Sequence, residues 1–315
     1  MKLIIQIPCF NEAQSLEQVL DSIPKKIQGI DEIEILIIDD GSSDATTDIA
    51  RAHGGVHVIR NLRNLGLARS FRKGIHECLQ RGADIIVNVD GDNQYPASEI
   101  PKLIEPIVSG RADLVIGDRQ TGSIVHFSPM KKFLQKVGSR IVDRLSRTKV
   151  NDVTSGFRAF SREGALRLTI LSNYTYTLES LLQAESKGFT IESIKIETNE
   201  PTRESRLMKS ITSYLVFSLA TIIRVFTMYN PLRVFVTIGG SLIFAASILS
   251  GRFLYYYLFT TGAGKIQSLI LAAILLISGI MVVLVGVLAD LIQFNRRLLE
   301  DILERLKRIE YSDPH

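Results

Sequence analysis

Residues Ile85-Ile86-Val87-Asn88-Val89-Asp90-Gly91-Asp92-Asn93-Gln94 decide how the rest of the chain is read. A β-branched run stops abruptly at two acids and an amide. That is the pattern of a buried strand delivering polar side chains at its carboxyl end. If the chain stays extended past Val89, Asp90, Asp92 and Gln94 share a face, because alternate strand residues point the same way. Two carboxylates and an amide oxygen are hard ligands, suited to Mg2+ or Mn2+ and not to zinc. Gly91 would leave room for a ligand to approach the backbone. A plain polar turn is the competing reading, and this stretch alone does not separate the two.

Outward from this strand, apolar runs alternate with segments of helical spacing. Strands are expected over residues 3–7, 34–38, 56–59, 85–89, 114–116 and 190–196. Helices are expected over 12–23, from Ser43 or Asp44 to Ala52, and over 67–80, 98–108, 131–147 and 177–187. Such alternation predicts an α/β fold, a mostly parallel sheet with helices on both faces. Ligands of such sheets sit beyond the carboxyl ends of the strands. Here those ends read 8–12, 39–44 and 90–94, three acidic loops on one rim. A carboxylate such as Asp39 at a strand end is placed to accept hydrogen bonds from a base or a ribose. Asp44 reads equally as a helix cap. No Gly-x-Gly-x-x-Gly and no Gly-Lys-Ser/Thr loop occurs, which argues against dehydrogenases and phosphate-loop ATPases.

The chain has 315 residues and a net charge of +4, with no basic run interleaved with aromatics, so nucleic acid is not an expected partner. Cys9 and Cys78 are too few for a metal framework and read as buried packing residues of a reducing compartment. Beyond residue 205 the composition changes. Residues 211–223 form an uncharged stretch too short to span a bilayer, expected to lie at the interface. Residues 234–249 and 266–289 are charge-free apolar runs of spanning character, separated by a loop over 251–265. Lys and Arg are denser before the first run and after the second than between them. This predicts an integral membrane protein with two spans, and with the catalytic domain and both termini cytoplasmic. The implied organisation is a catalytic domain over 1–205, an interfacial segment over 206–230, a two-helix membrane region over 231–290 and a tail helix over 291–315. In that tail Leu299, Ile302, Leu306 and Ile309 recur at helical spacing, which fits either homo-oligomerisation or a solvated amphipathic helix.

Six motifs, in order, resemble the family-2 glycosyltransferases, and within them the polyprenyl-phosphate sugar transferases of the dolichol-phosphate mannose synthase type. They are Pro8-Cys9-Phe10-Asn11-Glu12, Asp39-Asp40-Gly41-Ser42-Ser43-Asp44, Asn64-Leu65-Gly66, Asp90-Gly91-Asp92-Asn93-Gln94, Gly117-Asp118-Arg119 and Asp152-Val153-Thr154-Ser155-Gly156-Phe157-Arg158. The resemblance covers residues 2 to 209 and departs from the family pattern around Arg203 to Lys209, where the usual Gly and Ser are missing. It implies the GT-A fold and the transfer of a hexose from a UDP- or GDP-linked nucleotide-sugar donor to a polyprenyl phosphate lipid. Pro8, Phe10, Glu12, Ile37, Asp39, Asp90, Gly91, Asp92, Arg203 and Lys209 are then expected at the donor nucleotide. Asp90, Asp92 and Gln94 are expected on the metal, and Arg119, Lys131 and Lys132 on the acceptor phosphate. Asp152 is a candidate base, so that Asp92, Asp152 and Arg119 form the expected catalytic set. A processive polysaccharide synthase is disfavoured because its Gln-x-x-Arg-Trp motif needs a tryptophan, and this chain has none. A metal-dependent nucleotidyltransferase and a membrane subunit with a dead site remain as rivals.

Overall fold

The computed structural model describes residues 1–119, 152–170, 176–199, 231–259 and 266–311. The expected helix over 131–147, the interfacial stretch and the residues Lys131, Lys132, Arg203 and Lys209 lie outside the described residues. The chain divides into two units, Met1–Lys209 with Glu304–His315, and Ser210–Leu303.

In the first unit the strands β1 (Lys2–Cys9), β2 (Glu32–Asp39), β3 (Val56–Arg60), β4 (Ile85–Asn88), β5 (Leu114–Asp118), β6 (Arg158–Ser161) and β7 (Ile191–Lys195) form one sheet. Its order is β3-β2-β1-β4-β6-β5-β7. Every pairing is parallel except those of β6, which runs antiparallel between β4 and β5. The expectation of a mostly parallel sheet therefore holds, with one inserted strand that the sequence reading missed.

Helices α1 (Leu16–Asp21), α2 (Thr46–Ala52), α3 (Leu67–Gln80), α4 (Ile100–Val108), α5 (Arg162–Arg167) and α6 (Thr177–Ser186) cover the sheet. Alternation along the strands sorts the core into two layers. Ile4, Leu36, Ile38 and Ile86 pack with Phe71, Phe160 and Tyr176 on the side of α3, α5 and α6. Leu3, Ile5, Ile7, Ile37 and Val87 pack with Val19, Ala50 and Leu103 on the side of α1, α2 and α4. Each such fully buried aliphatic side chain contributes about 1.5–3 kcal/mol. Cys9 and Cys78 are buried free thiols, as expected. Register places Cys9 beside Asp39 and Asp39 beside Arg60, so the polar ends of β1, β2 and β3 reach the same rim.

The second unit contains α7 (Pro231–Phe259) and most of α8 (Ile266–Glu310), both long and apolar enough to cross a membrane. Helix α7 runs on through Tyr255–Tyr257, where a loop was expected, and the second span and the tail form one helix and not two. The two helices meet through small residues: Gly239, Ala246, Ala272, Gly279 and Gly286 are buried. A Cβ on Gly239 would lie 2.7 Å from the Gly279 carbonyl oxygen, and one on Gly286 would lie 2.6 Å from Phe235. Bulk points outward instead, Phe244, Ile248, Ile277 and Met281 all being exposed.

Candidate active site

The paired acids at the end of β2 have separate duties. Asp39 is fully buried: its Oδ1 accepts from Ser42 N at 2.9 Å, and its Oδ2 accepts from the Thr47 hydroxyl and faces Arg60 Nε at 3.3 Å. Asp40 turns the other way and accepts from Asn61 Nδ2 at 2.8 Å, Leu65 N at 3.0 Å and Gly66 N at 2.8 Å. One acid ties the 42–47 loop and the other ties the start of α3. Gly41, directly after them, has φ +75°, and a Cβ there would meet Arg63 backbone at 2.6 Å, so only glycine fits. Asp39 thus organises the loop that follows it at the rim. Ile37 lies two residues earlier on the same strand. It is fully buried in the layer beneath α1 and α4, on the same face of β2 as Asp39 and one pleat further from the strand end.

The loop after β1 is stitched to the same structure. Asn11, at φ +55°, donates its N–H to Ser42 Oγ at 2.9 Å and accepts from Ser43 N at 2.8 Å. Glu12 N donates to Thr46 Oγ1 at 2.8 Å, and Ala13 N to Asp44 Oδ2 at 3.2 Å. Asp44 also accepts from Thr46 N at 3.0 Å, as expected of a residue at the start of α2. Pro8 is buried at the end of β1, whereas Phe10 is exposed at the rim.

Past β4 the chain does not stay extended. Residues 91 and 92 form a turn, Asn93 adopts φ +58°, and Gln94 N bonds Asp92 Oδ1 at 3.1 Å. Asp and Asn favour this local turn chemistry, so alternation is not what groups these side chains. Gln94 Oε1 lies 3.5 Å from Arg119 Nη1. Gly91 is packed closely against the loop after β1: a Cβ there would lie 2.8 Å from Cys9 Sγ and 3.4 Å from Glu12 Cγ. The Asp90 carboxylate rests on Gly156, whose added Cβ would lie 2.4 Å from Oδ2. Burial first, then the negative charges of Asp92 and Glu12, push Asp90 up to about 7, against the pull of Arg119 and Arg158. Among the described residues no cluster of three or more His, Cys, Asp or Glu side chains surrounds a single point.

A buried polar network supports this seat. Gln6 Nε2 donates to Asn88 Oδ1 at 3.0 Å, and Asn88 Nδ2 donates to the Gly156 carbonyl at 2.9 Å and to Tyr176 Oη at 3.0 Å. Gly156 N donates to Tyr95 Oη at 3.3 Å. Sequence reading missed Asn88, although an amide inside an otherwise aliphatic strand is a visible signal.

Arg119, just after β5, reaches Asp152 with Nε at 2.6 Å and Nη2 at 3.0 Å, a two-pronged pair. Nη2 also donates to Thr154 Oγ1 at 2.8 Å, and the guanidinium lies 5.9 Å from the Tyr95 ring centre. Asp152 is 1% exposed and Arg119 17%. Burial favours the neutral acid, but Arg119 outweighs it and holds Asp152 below the usual carboxylate range. Held in that pair, Asp152 fixes the orientation of the Arg119 guanidinium. Arg158, absent from the expected site, is buried on β6. It bonds the carbonyls of Val153 at 2.7 Å, Ser155 at 2.9 Å and Thr177 at 2.6 Å, clamping the 153–155 loop to α6. Burial brings its pKa down to about 10.

Residues 4–168 match the family model described as Glycosyl transferase family 2. The chain is a family-2 glycosyltransferase. A dolichol-phosphate mannosyltransferase of Pyrococcus furiosus is 34% identical to this glycosyltransferase over 171 residues, 52% of this chain and 47% of that protein. An undecaprenyl-phosphate mannosyltransferase of Micrococcus luteus is 30% identical over 51% of this chain and 66% of that protein. The match thus spans from just under half to about two thirds of the length of these curated relatives. A glycosyltransferase of Haloferax volcanii, AglJ, aligns at 27% identity over 97% of this chain and 96% of its own. The glucosyl-3-phosphoglycerate synthase of Mycobacterium tuberculosis, solved with Mn2+, UDP and glucosyl-3-phosphoglycerate, superposes with a TM-score of 0.54 at 21% identity. It covers 70% of this chain and 79% of its own, and supports the GT-A fold of this glycosyltransferase.

Proposed function

We propose that this glycosyltransferase moves a hexose from a UDP- or GDP-linked donor to a polyprenyl phosphate, with inversion at the sugar, and depends on Mg2+ or Mn2+. The observation that carries the reading is the crowding of Asp90 and Asp92 at the carboxyl end of β4. Asp90 is buried, and the neighbouring Asp92 charge adds to the cost of ionising it, so that its pKa is pushed up to about 7. A divalent cation relieves that repulsion, so the donor set fits one; structural relatives of the same fold were solved with Mn2+ or Mg2+ and UDP. Bound there, it would supply Lewis-acid stabilisation of the diphosphate leaving group. Gln94, turned toward Arg119, belongs to the acceptor side of the rim in this proposal.

An acceptor-phosphate oxygen attacks the anomeric carbon while the bond to the donor's β-phosphate breaks and the nucleoside diphosphate departs. A phosphate monoester, with a second pKa near ~6, is already largely ionised at neutral pH, so the site needs no strong base. Asp152 instead orients Arg119. The Nη1 edge of Arg119, whose contact with Gln94 is its longest, turns to the acceptor phosphate, joined by Lys131 and Lys132. Phe10 and the stitched 8–13 and 39–46 loops frame the nucleotide, and Arg203 and Lys209 neutralise the departing diphosphate. The helices α7 and α8 hold the catalytic unit at the leaflet that carries the acceptor, with both termini cytoplasmic.

The test is label transfer into the organic phase from UDP- and GDP-sugars, with polyprenyl phosphate and Mn2+. Asp92→Asn is expected to abolish transfer without lowering the thermal transition. Full activity in that variant, or after exhaustive chelation, rules the metal role out.

A further inference from the structure

The tail was expected to be either self-associating or solvated, yet Glu304–His315 belongs to the same unit as the catalytic sheet. Glu304, Lys307, Arg308 and Tyr311 recur at three- and four-residue spacing and so share one face of α8. All four reach a single patch. Lys307 Nζ donates to the Leu168 carbonyl at 2.6 Å, Arg308 Nη1 to Glu163 Oε2 at 3.0 Å, and Arg167 Nε lies 3.8 Å from Glu304. Tyr311 is 8% exposed and packs into the core layer of α3, α5 and α6. Its hydroxyl meets His76 Nδ1, the rings lie edge to face at 5.6 Å, and its carbonyl accepts from Arg162 Nη2 at 2.9 Å. Leu306 and Ile309, on the other side of the helix, are exposed.

The patch sits on elements that also build the active site. His76 lies on α3, whose first turn is fixed by Asp40, and Arg162 directly follows β6, whose other end carries the loop of Asp152 and Gly156. The chain passes between its two units twice, once after Lys209 and once before Glu304. We propose that Glu304–Tyr311 form a latch that fastens the catalytic unit at the second passage, and that closing it is required for efficient transfer to an acceptor in the membrane. A unit held at one passage explores more volume than one held at both, so its encounters with a membrane-bound acceptor become rarer, while chemistry on the water-soluble donor is unaffected. This rests on the lipid-acceptor reading above.

The experiment uses the full chain in nanodiscs containing polyprenyl phosphate, with hydrogen exchange of 304–311, lipid transfer, donor hydrolysis and the thermal transition as readouts. Tyr311→Ala with Arg308→Glu should raise exchange across 304–311 and lower lipid transfer about tenfold, leaving donor hydrolysis unchanged. Leu306→Ala, on the exposed side of the helix, keeps every docking contact and should behave as the unsubstituted chain. The latch is refuted if exchange rises while lipid transfer holds. Unchanged exchange refutes it as well, and loss of hydrolysis together with the thermal transition would make the tail plain core. Absence of lipid transfer in every arm, the unsubstituted chain included, would overturn the acceptor assignment and leave the docking itself to be judged by exchange.

Discussion

Removing the carboxylate of Asp152 should damage the fold before it damages the chemistry. Asp152→Ala strips Arg119 of its two short bonds, at 2.6 and 3.0 Å, and leaves a guanidinium that is 17% exposed. Breaking one partner of a buried pair costs about 3–5 kcal/mol. Arg119 keeps Thr154, Gln94 and the Tyr95 face, which places the loss near the lower end, ~3 kcal/mol. For a unit of this size that lowers the thermal transition by roughly 6–12 °C. Differential scanning fluorimetry on Asp152→Ala, Arg119→Ala and the double variant gives the coupling, expected at about 2–3 kcal/mol. The acid limb carries the same signature. Asp152 is ionised in the fold below its unfolded value, so its contribution is complete above the unfolded pKa and is lost as pH falls through the folded one. Asp152→Asn should flatten that acid loss. Additive single variants, or an Asp152→Ala variant that melts normally but is inactive, would refute the anchoring role and restore the base.

Gly156→Ala places a methyl 2.4 Å from Asp90 Oδ2 and 2.9 Å from Tyr176 Oη, so the carboxylate must move. Transfer should fall about 100-fold, the cost of an ångström-scale misplacement, and Mn2+ titration should show weaker binding; normal kinetics would contradict the Asp90 seat. Leu306→Glu with Ile309→Glu alters the outer face of the tail, away from the Tyr311 contacts. If that stripe joins two copies, the particle mass in detergent drops; an unchanged mass leaves it a solvated face.

The strands were legible because aliphatic runs ended in Asp, Pro or Asn, and α3 was readable over its full length from residue 67 to 80. The short strand β6 was not, since Arg158-Ala159-Phe160-Ser161 carries a cation at its start and is defined only by neighbours on both sides. The acidic rim was found, but its internal division was hidden. Two adjacent carboxylates looked like ligands, and only the loops they tie, up to 26 residues away, reveal Asp39 and Asp40 as fasteners. Arg119 and Asp152 were both named, yet a pairing across 33 residues is a tertiary fact that no local pattern encodes. The Asp90–Gln94 turn was readable, because Asp-Gly-Asp-Asn is turn chemistry; the assumption of an extended chain overrode it.

The glycine seam between α7 and α8 has a thermodynamic corollary. Expulsion of water from between the helices contributes little, since the largest apolar side chains lie on the outside; backbone-to-backbone van der Waals contact does the joining. If the two helices lie in a bilayer, as proposed, their separation should be accompanied by almost no heat-capacity increment, unlike melting of the sheet. Within one polypeptide, two halves would answer to temperature by different rules.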